Sequence, residues 1–201
     1  MEISLEKVRT LRERTGAGVL DCKQALEKAE GDLEKAIVLL RQQGVAAAAK
    51  RAGKPTAEGI VSSYIHAGGR IGVLVELNCE TDFVARTEEF QRLAREIAMH
   101  VAAEDPQYLS REQVPAEVLE REKEIYRVQA CREGKPEKVI ERIVEGKLTA
   151  FYRQACLLDQ VYVRDDSKTV GELLKEAMGQ LGENLVVRRF VRFQLGGDAA
   201  E

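Results

Sequence analysis

Residues 60–77 read IVSSYIHAGGRIGVLVEL, two runs rich in β-branched and aromatic residues, Ile60–His66 and Ile71–Leu77, parted by Gly68-Gly69. A glycine pair supplies the positive φ that a two-residue hairpin turn requires, so the stretch predicts an antiparallel hairpin. Strand side chains alternate with period two. Ile71, Val73, Val75 and Leu77 therefore share one face, and Gly72, Leu74, Glu76 and Asn78 share the other. A third strand is expected at Leu185–Leu195, LVVRRFVRFQL, with Val187, Val191, Phe193 and Leu195 on one face and Val186 and Phe190 on the other.

Outward from the hairpin the period changes to that of a helix. Thr81-Asp82 is read as opening a helix that runs to about Ala103, before Asp105-Pro106. Pro115 suits the first turn of a long charged helix ending at Gly134, and Pro136 starts another that stops near Gly146. Leu148–Cys156 continues helically, and Thr169-Val170-Gly171-Glu172 is a capping box whose helix ends near Gly182. Helices gathered around a small antiparallel sheet of about three strands make an α+β core.

The N-terminal 44 residues are expected to be a three-helix bundle. Ser4 caps a first helix carrying Leu5, Val8 and Leu11, and Thr15-Gly16-Ala17-Gly18 breaks it. Asp21 begins a second helix with Ala25, Leu26 and Ala29. Asp32 caps a third with Leu33, Ala36, Ile37 and Leu40, and Gly44 stops it. The chain is thus divided into a bundle (1–44), a helical extension fading into a linker (45–59), an α+β core (60–195) and a flexible tail (196–201).

Composition narrows the function classes. Basic and acidic side chains number 31 and 34, a formal charge of −3, which argues against a chain whose main task is gripping nucleic acid. No apolar run approaches the roughly 20 residues of a membrane span, and MEISLEKVRT has no signal-peptide core, so a cytoplasmic protein is expected. Cys22, Cys79, Cys131 and Cys156 are far apart, and with only His66 and His100 there is no metal-ligand spacing. Free thiols and no metal or cofactor of its own are the expectation. Gly53-Lys54 is not a phosphate loop, because Pro55 follows the lysine and no upstream glycine stands where one is needed.

Thr81-Asp82-Phe83 admits two readings from the residues alone. In one, Thr81 or Asp82 caps a helix and Phe83 joins Phe90, Ala94, Ile97 and Val101 in its apolar stripe. In the other, a carboxylate and an aromatic ring stand exposed at a strand-to-helix corner. Arg12, Val19, Leu20 and Lys23 likewise read as an ordinary solvated face, or as an apolar pair beside a Gly-Ala-Gly loop open for docking. Lys50, Arg51, Lys54, Arg188, Arg189 and Arg192 are solvated charges or partner contacts before they are a nucleic-acid patch. Glu76 and Asp82 have no pocket signature around them that would make a catalytic pair.

Two stretches resemble the signature segments of the bacterial elongation factor Ts family: LRERTGAGVLDCKQAL at Leu11–Leu26 and ELNCETDFVAR at Glu76–Arg86. GKPEKVIERIVEGKL at Gly134–Leu148 and GENLVVRRFVRF at Gly182–Phe193 are similar to that family's helical stretch and to the terminal strand of its short members. Val19-Leu20 stands where many relatives have Met-Met, and Gln160-Val161-Tyr162-Val163 where they often have Gln-Pro-Phe-Val. The resemblance implies a non-enzymatic guanine-nucleotide exchange factor that promotes GDP release from elongation factor Tu during translation elongation. Thr81, Asp82, Phe83 and Val84 would act beside that partner's Mg²⁺ and phosphate loop. Arg12, Val19, Leu20 and Lys23 would dock a bundle similar to a ubiquitin-associated domain. Short members pair, so a homodimer without direct nucleic-acid or membrane contact is expected. The alternative is a ribosome- or RNA-binding translation factor.

Overall fold

The computed structural model describes residues 3–51 and 53–197 of the chain. In order these form α1 (Leu5–Thr15), α2 (Val19–Lys28), α3 (Leu33–Arg51), β1 (Glu58–Ile65), β2 (Ile71–Cys79), α4 (Asp82–Ala85) and α5 (Glu88–Glu104). There follow α6 (Ala116–Arg132), α7 (Glu137–Ala155), β3 (Val161–Tyr162), β4 (Asp165–Thr169), α8 (Val170–Leu181) and β5 (Val186–Gln194). The α+β class read from the sequence is the class observed, with a three-stranded antiparallel sheet ordered β1-β2-β5. The outer part of the tail expected at 196–201, beyond Gly197, lies outside the described residues.

The described chain falls into two compact units. One holds the residues up to Ile60 with Leu77–Leu93 and Leu174–Val186, and the other holds Val61–Glu76, Ala94–Leu173 and the residues from Val187. In the first unit, the bundle core is Val8 and Leu11 of α1, Cys22, Ala25, Leu26 and Ala29, and Ala36 of α3. Ser4 caps α1 by accepting from Lys7 N at 3.3 Å, and Asp32 caps α3 by accepting from Lys35 N at 3.1 Å. Two boundaries differ from expectation. The second helix begins at Val19 rather than Asp21, because Gly18 is its cap and already accepts from Cys22 N at 2.9 Å. The third does not stop at Gly44 but runs on to Arg51. There α3 meets α8: a Cβ on Gly179 would lie 2.8 Å from Gly44 Cα, and Arg41 Nε donates to Glu176 at 2.7 Å. Two glycines let the backbones touch, and that packing overrides a local stop signal.

In the second unit Val73 and Val75 are buried, as are Ala94, Ile97, Ala98 and Val101 of α5. The hairpin loop is longer than expected. His66 N donates to Ile71 O at 2.9 Å, so four residues, Ala67–Arg70, make the turn, with φ of 88° and 67° at Gly68 and Gly69. α6 and α7 share a core of Ala130, Ile140, Val144 and Leu148. Because that stripe continues across Gly146, α7 is one helix to Ala155; continuous burial outweighs the ~1 kcal/mol that an interior glycine costs relative to Ala. The capping box is formed: Thr169 N donates to Glu172 at 2.8 Å and Glu172 N to Thr169 Oγ1 at 3.2 Å.

The β3–β4 pair was not expected. It is anchored by His100, which is fully buried and accepts from Val163 N through Nδ1 at 3.3 Å. Nε2 of His100 then donates to Gln160 Oε1 at 3.0 Å, an orientation set by Gln160 Nε2 donating to the carbonyls of Glu104 and Gln154. Burial holds the imidazole pKa below its ordinary value, which favours the neutral ring, and the two hydrogen bonds set its tautomer.

Candidate partner-binding site

β2 delivers the chain to a corner at Glu80-Thr81, and the sequence read as one helix from Thr81 to Ala103 is two. α4 has only four residues; it closes at Arg86, and Thr87 restarts the helix by accepting from Phe90 N through Oγ1 at 3.3 Å. Thr81 is the cap of α4, its Oγ1 accepting from Val84 N at 3.4 Å. The break changes where the aromatic points. Phe90 belongs to the restarted helix and is fully buried, whereas Phe83 on the short one is 79% exposed. Asp82 beside it is partly exposed and pairs with Arg86 at 2.9 Å, so a carboxylate and an aromatic ring stand together at the corner.

The corner is held from α8's far end. Glu183 accepts from Glu80 N and Thr81 N at 3.1 Å each, and from Thr81 Oγ1 at 2.5 Å. In the reverse direction Glu80 accepts from Asn184 N at 2.7 Å, from Arg51 at 3.2 Å and from Lys54 at 3.4 Å. These donors, the Asn184 N–H foremost, hold the Glu80 carboxyl below its usual range. The Cys79 thiol donates to Thr81 O at 3.1 Å, and burial together with the Glu183 charge pushes its pKa to about 11, so it remains a donor at neutral pH. All these groups lie in the first unit.

On the bundle, α2 buries Cys22, Ala25 and Leu26 and turns Val19, Leu20 and Lys23 outward, with Leu20 73% exposed. Positions three and four apart share a helix face, so the three form one stripe. Arg12 is exposed in the last turn of α1. The structure thus makes the two apolar residues an open face, while Lys23 reaches Glu27 at 4.0 Å.

A model of the family described as Elongation factor TS matches residues 27–197. The elongation factor Ts of Caldanaerobacter subterraneus subsp. tengcongensis is 62% identical over 194 residues, 96% of this chain and 97% of its own length. That of Carboxydothermus hydrogenoformans is 57% identical over 199 residues, 99% of this chain and 92% of its own, and that of Moorella thermoacetica 58% over 194 residues, 96% of each. The chain belongs to the elongation factor Ts family.

Within that family frame, other groups fall into place. Arg51 and Lys54 pair with Glu80, Arg189 pairs with Glu76 at 2.7 Å, and Arg192 with Asp105 at 3.4 Å. Glu76 and Asp82 have different partners, Arg189 and Arg86. Among the described residues no group of His, Cys, Asp and Glu is arranged to hold a metal ion, and no helix is long and apolar enough to cross a membrane. Cys22, Cys79 and Cys156 are buried free thiols and Cys131 an exposed one. In the second unit, Val61, Ile65, Leu74, Val191 and Phe193 are exposed on the sheet strands, Phe193 at 65%. Val187, grouped with Val191 and Phe193 by strand alternation, is instead buried. Sequence reasoning missed Glu183 and Asn184, whose partners lie 102 to 130 residues away and leave no local signal.

Proposed function

We propose that this chain is a guanine-nucleotide exchange factor for elongation factor Tu, acting in translation elongation on the GDP-bound form without catalysing a bond change. The observation that carries the reading is the exposure of Phe83 beside Asp82 on a corner whose backbone is fixed from two sides. A GTPase holds its nucleotide through phosphate-loop amides and a Mg²⁺ that bridges the phosphates. A rigid ring and an anion pressed into that region displace the elements that retain GDP. Coupling is reciprocal, so incoming nucleotide weakens the grip of the factor in turn. Mg²⁺ and nucleotide both belong to the partner.

Residues 1–44 act as the docking module, 45–59 as its extension, and 60–195 as the exchange and dimerisation core. Arg12, Val19, Leu20 and Lys23 make the docking contact. Substoichiometric protein is expected to speed release of fluorescent GDP from a cognate elongation factor Tu while hydrolysing none. Leu20→Asp is expected to raise the half-saturating concentration about tenfold or more, since it forces an unpaired charge into an apolar contact. An unchanged release rate at saturating protein overturns the assignment, and an unchanged half-saturation for Leu20→Asp removes the bundle from docking.

The sheet face of Val61, Ile65, Leu74, Val191 and Phe193 is covered by a second copy of the chain. Exposed apolar side chains aligned on neighbouring strands favour association, and a two-fold arrangement sets the same patch against itself. The Glu76–Arg189 ion pair gives that face a self-complementary polar element. The resemblance to short family members that pair supports the same reading. Sedimentation equilibrium at micromolar concentration is expected to return twice the chain mass of 22.4 kDa. A single species at the chain mass refutes the dimer and leaves the exchange role standing.

A further inference from the structure

The geometry points to Glu183, with Glu80 as its counterpart, as a positioning residue that keeps the Thr81–Val84 corner ready-formed, so that Phe83 meets the partner without first being ordered. This rests on the exchange role proposed above for Phe83.

A helix of four residues does not hold itself in water, where isolated helices shorter than about 12–15 residues are marginal. Nor does core packing fix Phe83, which is exposed. Ala85 anchors the end of α4 in the core, but none of Thr81, Asp82, Phe83 and Val84 is buried, and hydrogen bonds order the entry to the corner. Glu183 takes both backbone N–H groups that enter the corner, at 3.1 Å each. It also accepts a hydrogen bond from Thr81 Oγ1 at 2.5 Å. A hydroxyl has one proton and two lone pairs. With that proton directed at Glu183, a lone pair is left to accept from Val84 N, 3.4 Å away.

Glu80 returns the arrangement. Its carboxylate accepts from Asn184 N at 2.7 Å, while Asn184 Nδ2 donates to Lys54 O at 2.8 Å. Glu183 thus gives its carboxylate to the backbone of Glu80 and Thr81, and Glu80 gives its own to the backbone of Asn184. Hydrogen bonds to an ionised acceptor are the strong ones. Ordering the ring in the free protein removes that cost from the exchange step, as preorganisation does in binding and catalysis. The expected signature is a loss in maximal release rate, because half-saturation is set elsewhere, by the docking face.

The test compares Glu183→Gln, Glu183→Ala and Phe83→Ala in fluorescent GDP release, with hydrogen exchange of the Glu80, Thr81 and Val84 amides read in the free full-length chain. Gln keeps the size of Glu but removes the charge and turns an amide N–H toward groups that are themselves donors. Both Glu183 variants are expected to lower the maximal rate about tenfold, the effect of losing one charge-assisted hydrogen bond, with half-saturation within about twofold. Exchange at the three amides is expected to quicken by about tenfold or more, while the bundle amides stay unchanged. Should Glu183→Ala fail to fold, Glu183→Gln carries the comparison. A wild-type maximal rate for Glu183→Gln, while Phe83→Ala is slow, overturns the positioning role and leaves the exchange reading intact. Loss through raised half-saturation, or alongside faster exchange throughout the chain, also overturns it. A wild-type rate for Phe83→Ala removes the ring from the exchange step, and this inference with it.

Discussion

Phe83→Ala is expected to slow factor-stimulated GDP release from the partner by about tenfold to a hundredfold at saturating factor, the span of ordinary site-to-site coupling energies. The ring is 79% exposed, so the folded chain loses almost no packing with it, and stability should change by less than about 0.5 kcal/mol. Docking through the bundle should persist, leaving half-saturation close to that of the unaltered chain. The two measurements must be made on one preparation, stopped-flow release and thermal melting. A fall in stability of about 3 kcal/mol or more would return Phe83 to the apolar stripe of a long helix. Asp82→Asn separates the ring from the charge: it breaks the 2.9 Å pairing with Arg86 and leaves the ring in place. Full release activity in that variant would assign the effect to the ring alone.

Phe90→Ala is expected to do the reverse. Seven residues on, Phe90 is among the largest fully buried side chains. Truncating such a ring removes its transfer energy and leaves a cavity, costing about 3–5 kcal/mol. For a domain of this size that corresponds to a melting temperature lower by about 10 °C. Below the transition, release activity per folded molecule should be retained, because the Thr81–Val84 corner is built from hydrogen bonds that Phe90 does not make. Unchanged melting would mean that the ring is not part of the core. Loss of release activity without loss of stability would extend the functional corner into α5.

The amino-acid sequence by itself determined the elements whose signals are local. Ser4, Asp32 and the Thr169–Glu172 box cap helices as their spacing dictates, because a cap and the amide it satisfies lie three residues apart. The alternation Val73-Leu74-Val75 likewise fixed one buried and one exposed face of β2. Tertiary structure decided the matters in which distant residues outvote local ones. Gly44 and Gly146 carry stop signals, yet both helices continue, because α8 packs on the first and the stripe shared with α6 spans the second. The split of the helix after Thr81 was legible only in retrospect, from the second cap at Thr87, and it is that split which separates Phe83 from Phe90. Glu183 lies 102 residues from the amide of Thr81. Only the folded chain brings that carboxylate to the corner, because hydrogen bonding depends on distance in space and sequence periodicity reports only neighbours on one element.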